Sequence, residues 1–181
     1  MKNLWHEIET GPNPPEIINV IIENPMGSRK KYEYNKKYNL IEFDRMIFSP
    51  FHYPGDYGFI PRTYCEDGDP LDALVLVTEA SHPMVLIKVR PVAILKMIDE
   101  NKPDNKIISV PVNDPRFNDI QDKKDLSKHL LKEIQHFFRV YKELEGKKVK
   151  IGGWGNSKEA KEEIIHCMKL YKKFIQKSTL L

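Results

Sequence analysis

Cysteine is scarce in this chain, with two residues in 181. Cys65 and Cys167 stand far apart and neither belongs to a C-x-x-C pair, so a disulfide framework and zinc ligation are poorly supported and two free thiols are expected. Long apolar runs are also missing. No stretch approaches the roughly 20 apolar residues that a membrane helix needs. The segment from Met1 to Glu7 has no long apolar core before Pro12, Pro14 and Pro15, which argues against a secretory signal and for a cytoplasmic location. There is no G-x-x-x-x-G-K-[ST] loop and no G-x-G-x-x-G turn, leaving Walker-type and dinucleotide folds unsupported. No serine sits in a G-x-S-x-G elbow, and the six histidines show neither H-E-x-x-H spacing nor an evident serine or cysteine partner, so nucleophilic catalysis is disfavoured.

What is present is the composition of a soluble globular protein, 40% apolar and 30% charged, long enough for one domain spanning 1–181 and short for two. The formal net charge of +3 is mild, but its distribution is uneven. Arg29-Lys30-Lys31, Lys36-Lys37 and Lys172-Lys173 stand against acidic residues gathered between Glu66 and Asp104. Basic and acidic groups in one site suit a phosphate ligand carried with metal ions.

The densest acidic stretch is Asp67-Gly68-Asp69-Pro70-Leu71-Asp72, which opens the apolar run Ala73 to Val77. Gly68 permits a tight turn and Pro70 cannot donate to a sheet ladder, so Asp67 and Asp69 are expected in a loop and Asp72 at the first position of a buried strand. Converging carboxylates raise one another's pKa unless a cation lies between them, and a hard divalent metal is the natural candidate. Asp and Gly also make ordinary turns, so the string alone does not decide the matter. An EF-hand fails: counted from Asp67, the glycine place holds Asp72 and the closing glutamate place holds Thr78.

Taken in order, Ile17 to Glu23 reads as a β-branched strand ending in an acid, and Lys30 to Tyr34 alternates with Lys31 and Glu33 on one face. In Leu40 to Arg45 the arginine falls on the apolar side, which requires an anionic partner. Phe48 to Arg62 is rich in aromatics, prolines and glycines and is expected to be an ordered loop. Val85 to Ile98 is β-rich but interrupted by Pro91, and Asp99 to Lys106 forms a second acidic loop before the strand Ile107 to Val112. Apolar spacing from about Asp125 to Tyr141 predicts an amphipathic helix of about five turns. Lys147 to Ile151 is a last strand, Gly152 to Gly155 a turn, and Asn156-Ser157-Lys158-Glu159 the capping box of a C-terminal helix. The expected fold is α+β with a mainly β core, an antiparallel barrel-like sheet with two helices packed outside.

The polar groups without a structural excuse are Glu23, Lys31, Glu33, Arg45, Asp67, Asp69, Asp72, Asp99, Asp104, Lys106, Tyr141 and Lys142. Many carboxylates with a few fixed cations suit two or more magnesium ions meeting a highly charged oxyanion. The reaction class is metal-assisted phosphoanhydride hydrolysis, with water as the nucleophile and one carboxylate taking its proton.

These residues resemble, over nearly the whole length, the family I soluble inorganic pyrophosphatases of the prokaryotic type. The resemblance is carried by Lys31-Tyr32-Glu33, Asp44-Arg45, Tyr53-Pro54 through Tyr57-Gly58, Asp67 to Asp72, Lys96 to Glu100, Asp104 with Lys106, Tyr141-Lys142 and Gly153-Trp154. It implies an OB-like five-stranded antiparallel barrel with two flanking helices, and Mg²⁺-dependent hydrolysis of pyrophosphate to two phosphates, with Mn²⁺, Co²⁺ or Zn²⁺ as possible substitutes. It also implies roles. Asp67, Asp72, Asp99 and Asp104 match metal ligands, Glu23 and Glu33 match outer carboxylates holding metal through water, and Asp69 matches the general base. Lys31, Arg45, Tyr57, Lys106, Tyr141 and Lys142 match phosphate-binding groups, and Tyr53 a further site tyrosine. A homo-oligomer, with the hexamer favoured, and neither nucleic-acid nor membrane partners complete the expectation. Asn24 departs from the family pattern, where an apolar residue is common. On the face opposite Glu23, it is expected to affect packing and leave the chemistry intact.

Two other readings keep a basis in the residues. An oligonucleotide-binding module would use the barrel, basic runs and tyrosines, although a dense acidic cluster repels a phosphate backbone. A magnesium-dependent hydrolase of nucleotides or polyphosphate would share the chemistry and differ in the room around the site.

Overall fold

The computed structural model describes residues 3–178. The strand β1 (Ile18–Asn24) is buried at every position, as its β-branched run requires. Next come β2 (Lys30–Asn35) and β3 (Leu40–Met46), a two-stranded ribbon of their own. The proline- and glycine-rich stretch expected as loop contains one short strand, β4 (Asp56–Phe59). The remaining strands are β5 (Asp72–Val75), β6 (Leu86–Asp99), β7 (Lys102–Pro103), β8 (Lys106–Pro111) and β9 (Val149–Gly155). Two helices, α1 (Lys128–Val140) and α2 (Ser157–Ser178), complete the described chain.

Five strands close into a ring in the order β1, β4, β5, β8, β6 and back to β1. Closure depends on the length of β6. One edge of it pairs with β1 through Leu86 to Val89 and then with β9 through Ile94 to Asp99, while the other pairs with β8 and β7. Pro91 does not end the strand. It lies where the pairing with β8 slips by one residue, between Pro91 and Ala93, a position at which a missing N–H costs no ladder bond.

The expected all-antiparallel barrel is corrected at one pairing: β5 and β8 run parallel, with Asp72 opposite Lys106 and Ala73 opposite Ile107. Parallel neighbours need a crossover, supplied here by the excursion through β6 and β7. The expected turn at Gly152 to Gly155 is instead part of β9, pairing with Ile94, Leu95 and Lys96. Glycine is required there, since a Cβ on Gly155 would lie 2.5 Å from Ile94 Cγ2. The helix expected from about Asp125 starts at Lys128, because Lys123–Asp125 forms its own 3₁₀ turn capped by Asp122 and Ser127 caps α1. The capping box of α2 forms with Asn156 and Glu159 bonding each other's backbone N–H at 3.1 and 2.9 Å.

The core lies on both sides of the ring. Val92, Leu95 and Ile108 pack with Ile134, Phe137 and Phe138 of α1, and Ile18, Val20, Ala73 and Ile94 pack with Ile164 and Cys167 of α2. Both cysteines are free, buried and in contact at 3.1 Å between sulfurs. That contact, together with burial, pushes the Cys65 thiol well above its ordinary range and makes it a poor nucleophile.

Candidate active site

At the ends of the ring strands opens a cleft of about 580 Å³, lined by nine carboxylates and seven cationic side chains. Its centre follows from the parallel pairing of β5 and β8, which sets Asp72 beside Lys106. Lys106 Nζ donates to Asp72 Oδ2 at 2.5 Å and to Asp104 Oδ1 at 2.5 Å. Tyr57 OH donates to the same Asp72 oxygen at 2.5 Å. Only 1% of Lys106 is exposed. Burial alone would lower its pKa, but Asp104 and Asp72 outweigh burial and hold it above the ordinary lysine range, so it is a permanent cation. Burial likewise raises the phenols of Tyr57 and Tyr141, with the neighbouring aspartates adding to the effect, and keeps both as neutral donors.

A second acidic corner is built by a tight hairpin. Asp99 and Lys102 pair across Glu100 and Asn101, whose φ angles are +48° and +66°. Two consecutive positive φ values are those of a type I′ turn, which matches the twist of its strands. The turn fixes Asp99 at the cleft wall, where Lys142 Nζ bonds its Oδ2. Its Oδ1 is buried without a hydrogen-bond partner.

The loop Asp67 to Pro70 turns at Gly68, whose φ of +97° favours glycine. Asp67 Oδ1 accepts from Asp69 N at 3.0 Å, and Asp69 is paired with Lys36. Burial and the nearby Asp72 push Asp67 up to about 6. Glu23 is pushed up to about 8, chiefly by burial and then by Asp72, against the opposing effect of the Tyr34 N–H that it accepts at 2.7 Å.

The last two values predict a pH dependence of stability. Both carboxyls bind their proton more tightly folded than unfolded, so metal-free protein loses stability as pH rises from about 5 to 8. Glu23 accounts for up to about 4 kcal/mol of that loss. Melting temperatures in chelator are expected to fall across this window, and Glu23→Gln to flatten most of the slope. A melting temperature independent of pH in the parent would contradict the assignment.

On the opposite wall, the ribbon of β2 and β3 presents Lys31 and Glu33, which bond each other, with Asp44 3.1 Å from Lys31 Nζ. Arg45 has the anionic partner that its sequence position demands: Nε and Nη2 donate to Glu145 Oε1 and Oε2 at 3.1 and 2.6 Å. All the site residues named from the sequence line this cleft except Tyr53. Tyr53 is 2% exposed and stacks behind the wall on Tyr57 and Phe137. Among the lining residues that sequence reasoning left out are Lys36, Asp44, Lys102 and Lys147. Asp44 had a signal in its adjacency to Arg45. The lysines sit in basic runs or a hairpin, where a solvated role is the ordinary one.

The lining suits a hard divalent cation. Among its acidic, histidine and cysteine donors, all are carboxylate oxygens, and the orphaned, buried Asp99 Oδ1 is the kind of atom that such an ion satisfies. Among the described residues no three such side chains converge at ligand spacing. Asp72 and Asp104 face Lys106, and Asp99 faces Lys142, instead.

Comparison with known proteins agrees with this geometry. The family model described as "Inorganic pyrophosphatase" matches residues 20–172. The chain is similar to an inorganic pyrophosphatase of Haloferax volcanii, 48% identical over 172 residues, covering 94% of this chain and 97% of that protein. It is 43% identical to one of Picrophilus torridus over 169 residues, covering 93% and 96%. Among solved structures, inorganic pyrophosphatase from Thermus thermophilus superposes with a TM-score of 0.91 at 45% identity, covering 94% of this chain and 99% of that one.

Proposed function

The chain belongs to the inorganic pyrophosphatase family, an enzyme hydrolysing pyrophosphate to two phosphates, and we propose that the cleft around Asp72 and Lys106 performs this reaction with Mg²⁺. The observation that carries the proposal is the buried Lys106 ammonium fixed between Asp72 and Asp104 in a small cleft rich in carboxylates. Asp67, Asp72, Asp99 and Asp104 would hold the metal ions directly, and Glu23 and Glu33 through water. Bound divalent cations supply counter-charge for the substrate oxygens and acidify the attacking water.

The chain's own residues do the rest. Asp69, at the exposed rim of the loop, accepts the proton of the attacking water. Lys31, Arg45 and Lys142 bind the phosphate groups from opposite walls, and binding substrate there exchanges their carboxylate partners for phosphate oxygens. Lys106 cannot move far or lose its proton, so its charge is already aimed where the leaving phosphate gains charge. Tyr57 and Tyr141 remain protonated. Tyr141 donates a hydrogen bond to a phosphate oxygen, and Tyr57, whose one O–H proton goes to Asp72 in the structure, exchanges that partner for a phosphate oxygen when substrate binds. Tyr53 supports the ring of Tyr57 from behind.

Nucleic-acid binding is disfavoured because the carboxylates would repel a phosphate backbone. Phosphate release from pyrophosphate and from ATP under Mg²⁺ tests the substrate assignment. Pyrophosphate is expected to be turned over roughly 10³-fold faster or more, since the catalytic groups reach only a small anion held on all sides. Equal rates would shift the assignment to a nucleotide hydrolase.

No described helix is long and apolar enough to cross a membrane, and a cytoplasmic location is proposed on the family pattern. Met84, Val85 and Leu86 form an exposed apolar edge that supports a homo-oligomer, a hexamer on the family pattern. Light scattering is expected to give six times the 21.2 kDa chain mass, and a monomer mass would contradict it.

A further inference from the structure

The ribbon carrying Lys31 and Glu33 is not part of the ring. Among the described residues, the backbone of β2 pairs with one strand, β3, and its other edge faces the end of β1. On that edge Tyr32 N donates to Asn24 Oδ1 at 2.6 Å, and Asn24 Nδ2 donates to Tyr32 O at 2.9 Å. Two residues on, Tyr34 N donates to Glu23 Oε1 at 2.7 Å. Side chains of two consecutive residues of β1 thus take the place of a neighbouring strand. A carboxamide carries a donor and an acceptor much as a peptide group does, so Asn24 reproduces one rung of a sheet ladder.

Neighbouring residues of an extended strand point to opposite faces, and on that ground Asn24 was expected away from the site. The structure overturns this through a bulge. Ile22 pairs with Gly58 but Asn24 pairs with Tyr57, leaving Glu23 as the extra residue, and a bulge re-aims the side chains beside it. Asn24 is 1% exposed. Its backbone is in register with Tyr57, whose hydroxyl holds Asp72, and its side chain clamps the residue lying between Lys31 and Glu33.

We propose that Asn24 is a positioning residue for the phosphate-binding wall: its carboxamide, paired with both backbone groups of Tyr32, fixes the ribbon so that Lys31 and Glu33 enter the cleft. The proposal rests on the assignment of Lys31 to phosphate given above. Leucine would fill the same volume but leave the Tyr32 N–H and C=O without a partner. Aspartate would keep the acceptor, lose the donor and add a charge beside Glu23.

Residue-resolved amide exchange of metal-free protein, with kcat and KM for pyrophosphate, tests this on Asn24→Leu, Asn24→Asp and Lys31→Ala. Asn24→Leu is expected to speed Tyr32 amide exchange roughly tenfold or more, the scale of losing one buried hydrogen bond. Exchange in β8 should be unchanged. KM should rise about tenfold with a smaller change in kcat, because a misplaced ribbon weakens phosphate binding. Asn24→Asp should protect the Tyr32 amide more than leucine does and still raise KM. If the leucine variant does not fold, the aspartate variant carries the test by its raised KM. Parent-like exchange and KM in the folded Asn24 variants, with a raised KM in Lys31→Ala, would overturn the proposal alone. An unchanged KM in Lys31→Ala would overturn the phosphate assignment on which it rests.

Discussion

Asp72→Asn is expected to lower kcat for pyrophosphate by about 10²–10³ or more, the scale of removing one preorganised electrostatic group from a closed site. Asparagine keeps the shape of the side chain and loses its charge. In the parent one carboxylate oxygen receives both the Tyr57 hydroxyl and the Lys106 ammonium at 2.5 Å. An amide can accept there but no longer balances the cation, and it is a weak ligand for a hard divalent ion. The change has a signature beyond rate. Because Asp72 is among the causes that raise Glu23 and Asp67, the variant should show a shallower loss of stability between pH 5 and 8. A variant with parent-like kcat would remove Asp72 from the centre of the site.

Lys106→Met is expected to damage both stability and turnover. The methionine has nearly the volume of the lysine stem, so packing changes little, but Asp72 and Asp104 are left facing each other without a cation. Breaking a buried ion pair by removing one partner costs about 3–5 kcal/mol. For a chain of this size that corresponds to a fall of roughly 10 °C in melting temperature. Mg²⁺ should recover part of this loss, since the ion replaces the missing positive charge, yet kcat should stay reduced by about 10² because the leaving phosphate has lost its fixed cation. A melting temperature unchanged in chelator would mean that Lys106 does not hold the two carboxylates together.

Both predictions depend on a contact that only the fold reveals. The sequence puts Asp72 at the head of a strand, and that reading holds; it puts Lys106 just before another, whereas Lys106 is itself the first residue of β8. That the two strands run side by side in parallel, 34 residues apart in pairing, has no local signal, because periodicity reports which face a residue takes and not which strand lies beside it. Arg45 shows the same limit. Its place among apolar neighbours demanded an anion, but Glu145 lies 100 residues away. Local chemistry was legible where it is self-contained, as in the Gly68 turn and the Asn156–Glu159 capping box. It failed where backbone regularity breaks. The bulge at Glu23 sends Asn24 toward the ribbon, and the glycines of β9 read as a turn, although Gly155 serves close approach to Ile94.

The central claim is tested most directly by phosphate release from pyrophosphate by the purified chain, first with Mg²⁺ and then after excess chelator. Rapid release that stops on chelation and returns when Mg²⁺ is restored is the predicted result. No release with any divalent cation, or release indifferent to the chelator, would contradict it.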